Sequence, residues 1–259
     1  MMRLHIDGIA LLAGERTLIA SLTQHIDPGE VWCIAGPNGA GKTTLINVLA
    51  GLSNPAMGHI KLDGRPLDAW PASGLAKARA LMPQASHDAF GSSVLDTVLL
   101  NRFPHLTGWG WESADDRAAA LEALERLGLS SLKTRDVMTL SGGERQRVAL
   151  AAVLCQNTPL LLLDEPLAHL DLHHQIDCLH VLAGEARDQQ HTVIFSCHDL
   201  NLARRFSTHA LLLDGKGGAV AGHVADVLTP ERASAAFGCP LALICDGAHE
   251  ALVPLIPNR

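Results

Sequence analysis

Residues 36–43 read Gly36-Pro37-Asn38-Gly39-Ala40-Gly41-Lys42-Thr43 and fit the pattern G-x-x-x-x-G-K-[ST]. No other feature restricts the fold of this chain so tightly. The pattern works only where a strand runs into the loop and a helix runs out of it, because backbone amides must curl round phosphate oxygens while the helix adds its positive dipole end. Both flanks comply. Upstream, EVWCIAG (30–36) is a short apolar run ending in glycine, and downstream TTLINVLAG (43–51) carries apolar residues at helical spacing as far as Gly51. Glycines leave the amides open to the anion, Lys42 can reach the β- and γ-phosphates, and the Thr43 hydroxyl can ligate Mg²⁺. Together with Thr44, these residues form the candidate nucleotide cradle.

Three further apolar runs, LLLLD (160–164), HTVIFSC (191–197) and HALLLD (209–214), are short and separated by helical stretches. Their continuous apolar character predicts strands buried on both faces, hence a mostly parallel α/β sheet. LLLLDE delivers Asp164 and Glu165 to the carboxyl edge of that sheet, where open α/β folds bind ligands. Asp164 is placed to hold Mg²⁺ directly or through water, and Glu165 to polarise an attacking water. From about Gln84 to Leu154 the strand pattern disappears. Ser113 to Gly128 reads as a helix, started by Ser113, stopped by Gly128 and striped with Leu121, Leu124 and Leu127. The expected organisation is therefore a core of residues 1–83 and 155–259 interrupted by a helical subdomain, 84–154. GKGG (215–218) marks a turn, and Pro230 to Phe237 a closing helix.

Composition narrows the function. Hydrophobic residues make up 47% of the chain, which excludes disorder, yet no apolar run approaches the ~20 residues that span a bilayer. A soluble, cytosolic chain without a signal peptide is expected. The net charge of -7 provides no electrostatic footprint for nucleic acid. Six cysteines, none in a C-x-x-C pair, support neither a disulfide framework nor a zinc site. Among fourteen histidines the densest group is His169, His173, His174 and His180. It reads as a solvated helix face, since no carboxylate or cysteine completes a metal site at ligand spacing.

LSGGERQR (140–147) opens a predicted helix, and Ser141, Gly142 and Gly143 form a second phosphate-sized anion nest. One nucleotide in a single small domain cannot use both nests. Here the chain resembles the nucleotide-binding subunit of ABC transporters over nearly its whole length, which implies a P-loop NTPase (RecA-like) core. LSGGE is that family's signature motif, which sets a plain P-loop kinase aside. It closes over ATP held by the phosphate loop of the opposite subunit in a head-to-tail dimer. The resemblance also implies roles for other residues. Gln84, in LMPQ, matches the glutamine that senses Mg²⁺ or the attacking water and couples to the membrane partner. Leu170 and Asp171 in AHLD match the D-loop, with His169 where the family often has a small residue. His198, in SCHDL, resembles the switch histidine that contacts the γ-phosphate. Many family members stack adenine on an early aromatic residue; the matching position is Ala13, and the chain has no tyrosine.

NRFPH (101–105), VLTPE (227–231) and AFG (236–238) resemble importers of iron-siderophore, haem and cobalamin complexes, although Asn101 stands where those usually have Gly. The NRFPH-containing insertion and the C-terminal tail look closest to the cobalamin type. The resemblance implies ATP and Mg²⁺, a second copy of the chain, two transmembrane permease subunits, and indirectly a periplasmic or surface substrate-binding protein. It also implies a peripheral location at the cytoplasmic face of the inner membrane. The alternative is a soluble ABC-type ATPase without a membrane partner. Such proteins usually carry two cassettes or a coiled coil, whereas this chain has one cassette and no heptads.

Overall fold

The computed structural model describes residues 2–84, 91–106, 112–247 and 249–255. Strands β1 (Leu4–Ala13) and β2 (Arg16–Ile26) form an antiparallel hairpin, after which β3 (Val31–Ala35) runs into the phosphate loop and α1 (Lys42–Leu49) leaves it. The chain returns to the hairpin through β4 (Met57–Leu62) and β5 (Arg65–Pro66), completing a four-stranded sheet of order β2-β1-β4-β5. Helix α2 (Ala72–Ala78) then leads into β6 (Arg79–Met82).

Next come the helices α3 (Val94–Leu99), α4 (Ala114–Arg126) and α5 (Gly142–Cys155), joined by 3₁₀ turns. Ser113 caps α4 in a reciprocal box with Asp116, the arrangement that its position at the helix start predicts. Residues 85–90 and 107–111 of the expected insertion lie outside the described residues.

Strand β7 (Leu160–Leu163), α6 (Leu172–Gln189), β8 (Thr192–Ser196), α7 (Leu200–Phe206), β9 (His209–Leu213) and β10 (Ala219–His223) complete a six-stranded sheet. Its order is β10-β9-β3-β8-β7-β6, parallel throughout except for the antiparallel edge strand β10. Alternate residues of each strand feed two cores. Cys33, Leu161, Val193, Phe195 and Leu212 pack with α3–α6, while Trp32, Leu160, Ile194 and Leu211 pack with α1 and the antiparallel sheet. This double burial is why the strand sequences read as continuous apolar runs. The chain ends in α8 (Val224–Val227), α9 (Pro230–Phe237) and a hairpin of β11 (Leu241–Asp246) and β12 (His249–Pro254).

Two polar clusters brace α4, one against the end of α5 and the other against α6. Arg102 donates to Asp116 at 2.8 Å and to the Cys155 carbonyl at 3.1 Å, while His105 donates to the Gln156 carbonyl at 2.8 Å. NRFPH is thus a clamp between α4 and the end of α5. Glu185 on α6, buried, accepts from Arg126 at the end of α4 at 2.5 Å and from His191 at 2.7 Å. Burial opposes ionisation of Glu185, but the His191 hydrogen bond and the Arg126 charge outweigh it, so its carboxyl titrates below the ordinary glutamate range. A lowered folded pKa contributes stability that is complete above the unfolded value and is lost as pH falls through the folded one. Glu185→Gln should therefore destabilise the protein at pH 7 by about 2 kcal/mol, less than a fully enclosed pair because Arg126 remains 34% exposed. Urea unfolding should show that difference shrinking as the pH is taken below the carboxylate range.

Candidate functional site

The carboxyl ends of β3, β8 and β7 lie side by side, and each hands a functional group to the same edge. From β3 comes the phosphate loop. Gly36 enters it at φ +149°, and a Cβ there would lie 2.5 Å from the Leu213 carbonyl oxygen of β9, so only glycine fits. Gly41 precedes α1 with no side-chain cap, which leaves the helix's first amides available as anion donors. Lys42, 6% exposed, donates to the carbonyls of Gly36 at 2.9 Å and Pro37 at 3.2 Å. Burial pushes its ammonium below the ordinary lysine value, opposed by the charges of Glu165 and Asp164.

From β7 come Asp164 and Glu165. Asp164 is 2% exposed, and its Oδ1 accepts the Ser196 hydroxyl at 2.7 Å. The same Ser196 oxygen accepts the Glu165 amide at 2.8 Å, so one hydroxyl at the end of β8 positions both acidic residues. Glu165 adopts a left-handed backbone, φ +51°, and its carbonyl accepts from the Gln146 side chain of α5 at 2.8 Å. From the end of β8, His198 Nε2 donates to Glu165 Oε1 at 2.9 Å. Gln84, just beyond β6, faces the same space. Asn38, Gly39, Gly41, Lys42, Thr43, Thr44, Gln84, Glu165 and His198 all line one open cleft of about 530 Å³, whose remaining wall is Ala13, Arg16 and Leu18. Asp164, buried, is not among the residues that line this cleft.

Ser141, Gly142 and Gly143 are elsewhere. They border a second cleft of about 500 Å³ with Glu144, Arg147, His169, Leu170, Asp171 and His174, and no residue lines both clefts. Ser141 caps α5, its hydroxyl accepting the Glu144 amide at 3.2 Å while its own amide donates to the Glu144 carboxylate at 2.8 Å. The Ser141 amide, followed by its hydroxyl, holds the Glu144 carboxyl below its ordinary value. The four histidines do not share one helix face. His169 sits before α6 with a left-handed backbone, His174 pairs with Asp171, His173 with Asp177, and His180 packs edge-on against Phe206.

Sequence reasoning missed Ser196, whose only signal is a hydroxyl inside an otherwise buried strand, and Arg16, which nothing local distinguishes. Were Asp164 to hold a metal, loss of the group that orients it would cost about 10–100-fold in metal affinity or activity. Ser196→Ala should accordingly lower ATP turnover by about that range while ATP still binds, measured by phosphate release beside direct nucleotide titration.

The sequence profile of the family described as ABC transporter matches residues 19–168. A hemin import ATP-binding protein of Gloeobacter violaceus is 43% identical over 89% of this chain and 86% of its own length. The iron(3+)-hydroxamate import ATP-binding protein of Bacillus subtilis is 35% identical over 90% and 87%. A cobalamin import ATP-binding protein of Halobacterium salinarum is 36% identical over all of this chain and 65% of its own. Among solved structures, an inward-facing transporter assigned to the metal-chelate ABC type superposes with a TM-score of 0.85 at 28% identity, covering 99% of both chains. A dimeric, post-hydrolysis ATP-binding cassette bound to ADP and Pi superposes with a TM-score of 0.74 at 26% identity, covering 86% of this chain and 99% of the other.

Proposed function

The chain belongs to the ABC transporter family, and from that premise we propose that it is the ATP-hydrolysing motor subunit of an importer for a metal chelate. The observation that carries the reading is the separation of the two anion nests. Lys42, Glu165 and His198 share one cleft, whereas Ser141, Gly142 and Gly143 border another, so a sandwiched nucleotide requires a second copy of the chain. The dimeric cassette among the structural neighbours supports that arrangement.

In this reading the loop amides and Lys42 bind the β- and γ-phosphates of ATP. Glu165 orients a water and accepts its proton as the water oxygen attacks the γ-phosphorus and the bond to ADP breaks. His198, already donating to Glu165, fixes that carboxylate and lies within reach of the γ-phosphate. Thr43, Gln84 and Asp164 supply hydroxyl, amide and carboxylate oxygens, the hard donor set that suits Mg²⁺. The ion would neutralise charge on the β- and γ-phosphate oxygens.

Residues 84–154 form the helical subdomain in this assignment, with 1–83 and 155–259 as the nucleotide-binding core; the described elements of that segment are helices and turns. Leu100 and Phe103, 71% and 76% exposed on the segment that follows Gln84, supply the apolar surface for a permease subunit. Among the described residues no helix is long and apolar enough to cross a membrane. In this reading the motor works from the cytoplasmic face beneath two permease subunits, with a substrate-binding protein on the far side. The import proteins that match about 90% of the chain do not favour a soluble ATPase without a membrane partner. Hemin, hydroxamate and cobalamin importers all appear among them, and the higher identity of the hemin relative lends no support to a cobalamin preference.

Glu165→Gln should keep ATP binding, lose about 10²–10⁴-fold in turnover, and accumulate as an ATP-bound dimer in size-exclusion chromatography. Parental turnover would remove Glu165 as the base. On that background, Ser141→Arg should abolish the trapped homodimer while the isolated subunit still binds ATP. Mixed with Lys42→Ala chains, it should recover about one ATP per pair, because one composite site then carries both lesions and the other neither. Undiminished trapping by the Ser141→Arg homodimer would overturn the head-to-tail site.

A further inference from the structure

A nucleotide in the 530 Å³ cleft is anchored at one end. Lys42 and the loop amides hold the phosphates, and Gln84, Glu165 and His198 surround the γ-phosphate end. Ribose and base must lie along the remaining wall, which the β1–β2 hairpin builds from Ala13, Arg16 and Leu18. Among the described residues no phenylalanine or tryptophan lines that wall. Ala13 presents only a methyl, and Leu18 is buried against the loop, its Cβ 3.1 Å from where a Cβ on Gly41 would stand.

Arg16 is exposed but not free. Its Nη2 donates to the Gly215 carbonyl at 2.8 Å, tying the hairpin tip to the turn after β9. Its Nη1 lies 3.7 Å from the point that a Cβ on Gly39 would occupy, directly beside the phosphate loop. The seat is kept small: a Cβ on Gly215 would stand 3.8 Å from the guanidinium and 3.3 Å from the Pro37 ring. A guanidinium is planar, delocalised and weakly hydrated, and it stacks on π-faces. Stacking tolerates any base, because every base has such a face.

We propose that Arg16 is the nucleobase platform of this cleft, stacking on the purine of the bound triphosphate without selecting which purine it is. The proposal rests on the ATP-binding reading above and goes beyond it to one residue and a specificity. The competing use of the same side chain is a simple charge on the phosphates, and the test separates the two. Binding of ATP, GTP and inorganic tripolyphosphate, each with Mg²⁺, is measured by calorimetry on the full-length protein. Arg16→Ala should weaken ATP and GTP alike by about 5–30-fold and leave tripolyphosphate unchanged. Arg16→Lys should behave as Arg16→Ala, since an ammonium offers no face. Adding Ala13→Tyr to Arg16→Ala should restore most of the loss. Parental ATP affinity in Arg16→Ala, full rescue by lysine, or an equal loss for tripolyphosphate would each overturn the platform. Lys42→Ala is the control for the underlying reading: it should weaken ATP and tripolyphosphate together, and if it weakens neither, the phosphate assignment fails rather than the role of Arg16.

Discussion

A nearly buried ammonium with no carboxylate in direct contact among the described residues is the interaction on which the site depends. Taking a charge out of water is costly unless hydrogen bonds replace its hydration. Lys42 meets that demand with two carbonyls of its own loop, Gly36 and Pro37. The same bonds fold the loop into the shape in which its amides can surround an anion. Burial holds the lysine below its ordinary pKa, against the opposing charges of Glu165 and Asp164, so an arriving phosphate meets a partly desolvated cation with which a charge-assisted hydrogen bond is strong. The loop that carries the lysine is held closely by its surroundings: Leu18 on β2 packs beside Gly41, and Gly36 runs against the Leu213 carbonyl of β9.

The chemistry was legible where it is local. Four fixed positions of one eight-residue loop, an apolar strand ending in Asp164 and Glu165, and the helix-opening LSGGE each announce themselves within ten residues. The parallel strands could also be read, because burial on both faces leaves an unbroken apolar string. The N-terminal antiparallel sheet went unrecognised for a physical reason. The register of β1 against β2 shifts between Ile6 and Ile9 and again between Ile9 and Leu11, and such irregularities destroy the two-residue period. Strand β6, RALM, opens on an arginine and leaves only three apolar residues, too short a string to stand out. Ser196 and Arg16 act through partners 32 and 199 positions away, distances that no local pattern encodes.

NRFPH carries a different lesson. Its resemblance points to a transporter subgroup, yet Arg102 and His105 spend their hydrogen bonds on Asp116 and on the carbonyls at the end of α5. Asp116, held down to about 2 first by Ser113 and then by Arg102, remains ionised across any physiological pH. The motif is therefore a brace for the helical segment, and it leaves Leu100 and Phe103 on the outside. With the Glu185 cluster at the other end of α4, the segment is pinned at two points, which favours movement as a body over bending.

Helix α5 opens just after its cap Ser141, in the half-site proposed for a partner's nucleotide, and farther along it Gln146 holds the carbonyl of Glu165 in its own subunit's cleft. In the head-to-tail pair proposed above, each chain would lend one end of this rod to its neighbour's nucleotide while the rod stays hooked to the backbone beside its own. A shift of the Glu165 peptide during hydrolysis would be felt as a tilt at the neighbour's clamp. In that arrangement the two engines would not fire in ignorance of each other: they would share a crankshaft, with Gln146 as its bearing.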